Sequence, residues 1–129
     1  MQKSSFRFKN PQLTSLGFKG NNKYKAKELL TLDIIDKVVV ETVNETSAVV
    51  TLILKIFKEE DFPNVPFAIN IEMKGEFSWD SDMDIELAKR LLNQNAPAVL
   101  LSYIRPYITT LTTGGGYPPL VLPLMNFTK

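Results

Sequence analysis

A strict alternation of apolar and polar residues over positions 67–79 constrains the fold most strongly. In the segment FAINIEMKGEFSW the odd-numbered positions are apolar and the even-numbered positions are mostly polar, with Gly75 in the apolar register. Because successive side chains of a strand point to opposite faces, this pattern predicts a β-strand with one buried face. Gly75 inside the strand predicts a bulge or a close approach of another group.

Three further segments complete a predicted antiparallel sheet. Residues 29–44 and 47–57 are rich in Val, Ile and Thr, and only two residues separate them, which predicts a tight hairpin. Both faces of the second segment are apolar, with Phe57 on the odd-numbered face, so we expect a central strand that is covered on both sides. Residues 4–20 alternate more weakly and contain Pro11, which favours an edge or interrupted strand.

The period changes to that of a helix after residue 79. Apolar side chains then recur at i and i+4, and Asp80, Ser81 or Asp82 is placed to cap the helix N-terminus. The polar residues 93–95 are expected to interrupt the helix, and Asn95 to cap its continuation. The sequence therefore predicts a long but broken helix after the four strands.

The second part of this helix is apolar around much of its circumference. Tyr103, Tyr107 and Leu111 share one face, which is typical of core or helix–helix contact rather than of a ligand site. Pro106 is expected to kink the helix, and the glycines at 114–116 to end it. One sheet face needs less apolar surface than this helix offers, so another subunit, a ligand or both should cover the rest.

The composition lacks the residues on which much enzyme chemistry depends. The 129-residue chain has no His and no Cys, which excludes imidazole bases, the usual zinc ligands, Ser-His and Cys-His pairs and disulfides. No catalytic constellation of the remaining carboxylates, Lys, Tyr, Ser and Thr stands out. We therefore expect a protein that is not an enzyme and that needs no cofactor and no metal.

Charge and hydropathy narrow the class of partner. The net charge is +1, from 15 basic and 14 acidic residues, which gives no reason to expect nucleic acid or an anionic membrane as the main partner. The N-terminus has no apolar stretch of signal-peptide length, and no window approaches the ~18 apolar residues of a membrane helix. We expect a cytoplasmic chain without membrane insertion, folded as a single domain over residues 1–129.

The C-terminal third carries a combination of residues specific enough to compare with a known family. The segment NAPAVLLSYIRPYITTLTTGGGYPPLVLPLMNF (95–127) resembles the hallmark segment of SecB-type export chaperones. That segment has a helix with Pro, Tyr and Arg, a Gly-containing turn, an aromatic-Pro pair, alternating leucines and an Asn-Phe pair. The matching residues are Pro97, Tyr103, Arg105, Gly115, Tyr117, Pro118, Leu120, Leu122, Asn126 and Phe127.

The resemblance implies a fold and a function. It implies an α+β protein, a four-stranded antiparallel Greek-key sheet with the long broken helix packed on one face. Two such sheets would join in a dimer, and two dimers would pair into a homotetramer. The family holds unfolded polypeptides in apolar grooves without ATP and serves protein export, so unfolded polypeptide clients and further copies of this chain are the expected partners.

The resemblance also suggests roles for individual residues. We expect client contact from Tyr117, Leu120, Leu122 and Phe127, together with Phe18, Leu32 and Ile34. We expect subunit contact from Tyr103, Tyr107, Leu111, Arg105, Phe6 and Phe8.

Departures from the family pattern keep other functions open. Export members dock the translocase ATPase SecA through acidic residues, and the corresponding positions here are Ser15, Lys19 and Asn70, which argues against SecA docking. The sequence also stops two residues after Phe127, where the family has another helix, so we expect a less covered groove. A dedicated chaperone or adaptor for one partner, such as the antitoxin of a toxin–antitoxin pair, is the alternative. A small-molecule enzyme on this fold is the third hypothesis.

Overall fold

The computed structural model describes residues 5–25 and 30–127, which hold four strands followed by a helical stretch. Residues 4 and 29, at the starts of two predicted strands, lie outside the described residues. The strands are β1 (Phe6–Gly20), β2 (Ile34–Asn44), β3 (Ser47–Ile56) and β4 (Phe67–Trp79), with a short 3-10 turn (Glu59–Asp61) between β3 and β4. The helices are α1 (Ile85–Arg90) and α2 (Ala96–Gly114), joined by a π-helical turn (Leu91–Asn95).

The strands form one antiparallel sheet in the order β1-β4-β3-β2. Consecutive strands β2, β3 and β4 are neighbours, and β1 lies beside β4 because of the long β1–β2 connection. This is the Greek-key arrangement read in the reverse chain direction. The predicted fold class, an α+β fold with a four-stranded antiparallel sheet and a long helical stretch, is confirmed.

The core lies between one sheet face and α2. The odd-numbered positions of β4 from 67 to 79 are all buried, as are the even-numbered positions of β3 from 48 to 56. Leu100, Ile104 and Ile108 of α2 are fully buried against them. Burial of one such aliphatic side chain stabilises the fold by about 1.5–3 kcal/mol. This packing fixes the position of α2 and of the segment that follows it.

The opposite face of the sheet departs from the prediction. β3 is central, as expected, but its odd-numbered residues Val49, Thr51 and Ile53 stay half-buried within the chain. Phe57 is not on that face. It adopts a positive φ of 54°, which reverses the strand alternation, and its ring packs edge-on against Phe67 in the core at 5.4 Å between centroids.

The edge strand β1 is interrupted where the sequence predicted. The pairing with β4 shifts between Lys9 and Gln12, because Asn10 adopts a positive φ of 56° and Pro11 has no N–H to donate. Gly75 lies opposite this shift, and a Cβ at Gly75 would collide with the ring of Phe8. The β1–β4 pair therefore shows both predicted features, an irregular pairing in β1 and a close approach at Gly75 of β4.

The helix boundaries differ from the prediction at two positions. The N-cap is Asp84, whose carboxylate accepts a hydrogen bond from the Leu87 N–H at 3.3 Å, and not Asp80, Ser81 or Asp82. Those three residues belong to a preceding turn in which the Met83 N–H donates to the Asp80 carbonyl. Asn95 makes no cap because the π-helical turn carries the helical backbone through it.

The C-terminal end of the helix is as predicted. α2 contains Pro106, ends at Gly114, and Gly116 adopts a positive φ of 85° that a residue with a Cβ reaches only with strain. The chain then turns back toward the sheet. No helix in the described part of the chain is long and apolar enough to cross a membrane.

Candidate functional site

The segment that follows α2 folds back along the helix. We call residues 117–127 the return segment. Its Leu120 carbonyl accepts a hydrogen bond from Thr109 Oγ1 at 2.9 Å, and its Leu122 carbonyl accepts one from Arg105 Nε at 2.9 Å. Later residues of the segment thus meet earlier residues of α2, so the segment runs antiparallel to the helix.

Tyr117 fixes the start of the return segment to the sheet. Its hydroxyl donates to the Pro66 carbonyl at 2.6 Å and accepts from the Asn21 N–H at 3.2 Å. Its ring packs edge-on against Phe67 at 5.1 Å between centroids and lies 6.4 Å from the ring of Phe18. Tyr117 therefore connects the return segment to the ends of β1 and β4.

An apolar cleft of about 590 Å³ opens beside Tyr117. Its walls come from the β1–β2 connection, the β3–β4 connection with the start of β4, and the return segment. The lining residues are Tyr24, Leu30, Leu32, Phe57, Pro66, Phe67, Tyr117, Pro118, Pro119 and Leu120. None of these lining residues carries a charge, so the cleft suits apolar side chains rather than an ionic ligand.

Comparison with known proteins identifies the family. The sequence model of the family described as preprotein translocase subunit SecB matches residues 17–129. This chain belongs to the SecB family. All residues of the return segment and of the cleft lie within the matched residues.

Individual relatives agree with this assignment. An uncharacterized protein of Methanocaldococcus jannaschii is 26% identical over 126 residues, which cover 96% of this chain and 81% of the relative. The protein-export protein SecB of Anaplasma phagocytophilum is 36% identical over 63 residues, which cover 47% of this chain and 40% of the relative. The alignment with that export protein thus spans about two fifths of its length.

Solved structures show the same fold. A SecB-like chaperone of Mycobacterium tuberculosis, solved with a ChAD peptide from an antitoxin, superposes with a TM-score of 0.75 at 18% identity and covers 97% of this chain and 94% of its own. A protein of unknown function from Streptococcus agalactiae gives a TM-score of 0.55 at 10% identity, with 92% and 96% covered.

The residues predicted for client contact fall into two groups. Tyr117, Leu120 and Leu32 line the cleft, and Phe18 packs behind Tyr117. Ile34 is half-buried against the core and does not line the cleft. Leu122 and Phe127 belong to the return segment, but their side chains are buried in the core of this SecB-family chain and do not line the cleft.

Several cleft residues were missed from the sequence. Tyr24 lies between Lys23 and Lys25 in the β1–β2 connection, Leu30 precedes β2, and neither was among the residues predicted for client contact. Phe57 was assigned to the other sheet face. An aromatic residue between two lysines is a sequence signal that could have marked Tyr24 as a binding residue. No local sequence pattern indicates that the β1–β2 connection meets the return segment.

The residues predicted for subunit contact lie along α2 and β1. Tyr103 and Tyr107 are 42% and 40% exposed, which is high for aromatic side chains on a helix that packs on a sheet. Phe8 lies 5.6 Å from Tyr103 between ring centroids, and Phe6 stacks on Phe77. Leu111 is half-buried.

The sheet face opposite α2 carries both basic and acidic side chains. Ser15, Lys19 and Asn70 are all exposed there, and the Lys19 ammonium forms an ion pair with Glu59. A broad depression of about 810 Å³ on this face is lined by both basic and acidic side chains. Within the described residues no three acidic side chains come together as they would around a metal ion.

Proposed function

We propose that this chain is an ATP-independent holdase chaperone that binds unfolded or extended polypeptide in the apolar cleft beside the return segment. The observation that carries the proposal is the uncharged lining of the cleft in a chain of the SecB family. Apolar contacts are non-directional, so such a surface binds exposed apolar side chains without selecting one sequence. A volume of about 590 Å³ is within the range of pockets that enclose a small ligand, and it suits a few client side chains at a time.

Suppression of aggregation by a charge variant tests this proposal. Leu120→Glu places a carboxylate in the cleft, whereas Val121→Glu places one on the neighbouring residue, which is 65% exposed. We expect the first variant to lose most of the protection of heat-denatured citrate synthase against aggregation, since a carboxylate opposes burial of apolar client groups. The second variant should protect as well as the wild type.

Two results would contradict the proposal. One is wild-type protein that does not suppress aggregation at all. The other is a Leu120→Glu variant that keeps its circular dichroism spectrum and protects fully, since the cleft would then not be the client site.

A second candidate is a dedicated chaperone or adaptor for one partner that does not engage SecA. It is favoured by Ser15, Lys19 and Asn70, none of which is acidic, on the exposed sheet face. The structural neighbour from M. tuberculosis was solved with a peptide from an antitoxin, which is a precedent for such a partner. Affinity purification from the native host separates the two functions, because a dedicated chaperone should recover one stoichiometric partner and a general holdase a heterogeneous set.

We further propose that the protein works in the cytoplasm as a single domain that forms homo-oligomers. The exposed Tyr103 and Tyr107 on α2 support assembly. Their aromatic surface is in contact with water in the single chain, and its burial against a second copy would be favourable.

A further inference from the structure

Three side chains on one face of α2 hold the main chain of the return segment. Arg105, Thr109 and Thr112 are spaced four and three residues apart, so they lie in one row along the helix. Arg105 Nε donates to the Leu122 carbonyl at 2.9 Å and Thr109 Oγ1 donates to the Leu120 carbonyl at 2.9 Å. Thr112 Oγ1 accepts from the Leu120 N–H at 2.9 Å.

The return segment depends on these side chains because its own sequence cannot form a regular strand. Pro118, Pro119 and Pro123 have no N–H, which removes three ladder donors in a short stretch. The described part of the segment is accordingly not paired with any strand of the sheet. Side chains of the helix supply the partners that a neighbouring strand would otherwise provide.

Thr112 is unusual among the core residues. It is fully buried, and it is the one polar residue among the buried side chains of the described chain. Its hydroxyl donates to the Ile108 carbonyl at 2.9 Å while it accepts from Leu120, so both functions of the hydroxyl are used. A buried hydroxyl with satisfied partners specifies a single arrangement, since any shift of the segment would leave a buried group without a partner.

The row also fixes which residue of the segment faces the cleft. Thr109 and Thr112 bind the carbonyl and the N–H of the same residue, Leu120. In an extended segment a slip of one residue would exchange the two faces and direct Val121 into the cleft and Leu120 to solvent. The two hydrogen bonds on one residue prevent that slip.

We propose that Arg105, Thr109 and Thr112 are positioning residues of the cleft. None of them lines it, and they act through the main chain of Leu120 and Leu122, so that Leu120 and the two prolines before it form one wall. The effect on client binding rests on the proposed function, whereas the hold on the return segment does not.

The test removes the hydroxyls while keeping the side-chain shape. Thr109→Val/Thr112→Val loses both contacts to Leu120, and Thr109→Val alone, at a half-buried position, serves if the double variant does not fold. Thr113→Val is the matched control, because Thr113 Oγ1 donates only within the helix, to the Thr109 carbonyl at 2.8 Å. Thr109→Ser/Thr112→Ser keeps the hydroxyls and should restore the wild-type behaviour.

Two readouts are compared across these variants. Hydrogen exchange measured by NMR should be at least about tenfold faster at the amide of Leu120, which donates to Thr112 Oγ1, in the valine variants, and unchanged in the control. Reduced, carboxymethylated α-lactalbumin, a permanently unfolded probe, should bind about tenfold more weakly to the valine variants and normally to the serine variant.

Unchanged exchange at the Leu120 amide in the valine variants would overturn the inference. So would faster exchange with wild-type affinity for α-lactalbumin, because the row would then not position the cleft. If the wild-type protein itself does not bind α-lactalbumin, the proposed function fails, and the exchange rates alone still decide whether the row holds the return segment.

Discussion

At the scale of single residues, Tyr117 connects the return segment with the end of β1 and the start of β4. Its ring contacts Phe67 and Phe18, and its hydroxyl bridges the Pro66 carbonyl and the Asn21 N–H. Removing the hydroxyl while keeping the ring leaves the Pro66 carbonyl with one partner fewer in a partly buried place. The position is therefore sensitive to the loss of a single oxygen atom.

Tyr117→Phe should lower the free energy of unfolding by about 1–2 kcal/mol, because a hydrogen bond is lost and a buried acceptor is left less satisfied. Tyr24→Phe, at another tyrosine of the cleft lining whose hydroxyl has no hydrogen-bond partner among the described residues, is the control and should change the free energy by less than about 0.5 kcal/mol. Urea denaturation monitored by the fluorescence of Trp79 measures both. Equal effects of the two substitutions would contradict the assigned role of the Tyr117 hydroxyl.

Residue-level expectations succeeded where they depended on the local sequence. Gly75 was expected to mark a bulge or a close approach, and both occur. The approaching group, the ring of Phe8, could not be named from the sequence because it depends on the β1–β4 register. Phe57 was misplaced for a related reason, since nothing in its neighbours announces a positive φ.

At the scale of elements, β4 was the most predictable part of the chain. Its alternation runs from 67 to 79, and the strand has the same bounds, because one buried face selects a single period and a single register. The start of α1 was less predictable. The three candidate caps, Asp80, Ser81 and Asp82, all precede the actual cap Asp84, because they form a turn before the helix that the sequence pattern did not reveal.

The cap can be tested directly. Asp84→Ala should lower the free energy of unfolding by about 1 kcal/mol, because the Leu87 N–H loses its acceptor at the first turn. Asp82→Ala, an exposed residue two positions earlier, should have little effect. Thermal denaturation of both variants at one pH and salt concentration compares them. A larger effect at Asp82 would place the helix start earlier than the structure does.

At the scale of the whole molecule, the site was predictable only in part. Tyr117 and Leu120 were found because they belong to a motif that a family resemblance marks, and Leu32 because it lies near the start of a predicted strand. Tyr24 and Leu30 were missed because the Greek-key topology, and no sequence pattern, brings the β1–β2 connection to the return segment. Leu122 and Phe127 were expected to line the client groove, but their side chains are buried in the core. The sequence does not separate these positions, because an apolar residue is equally suited to the core and to a client groove.

Assembly is a prediction of the same scale. We expect multi-angle light scattering to give twice or four times the chain mass of 14.6 kDa, because Tyr103 and Tyr107 leave aromatic surface exposed on α2. Tyr103→Glu/Tyr107→Glu should shift the mass toward the monomer, since two added carboxylates oppose burial. A wild-type protein that is monomeric at micromolar concentration would contradict this expectation.

The most direct test of the central claim is to locate the client on the chain by photo-cross-linking. A benzophenone side chain is placed at Pro119, in the cleft wall, or at Val43, which is exposed at the far end of β2. Val43 lies eleven residues along the chain from Leu32, or about 35 Å in an extended strand. With carboxymethylated α-lactalbumin as client, we predict strong cross-linking from position 119 that unlabelled client competes away, and little from position 43. Equal cross-linking from both positions, or none from position 119, would contradict the assignment of the cleft as the client site.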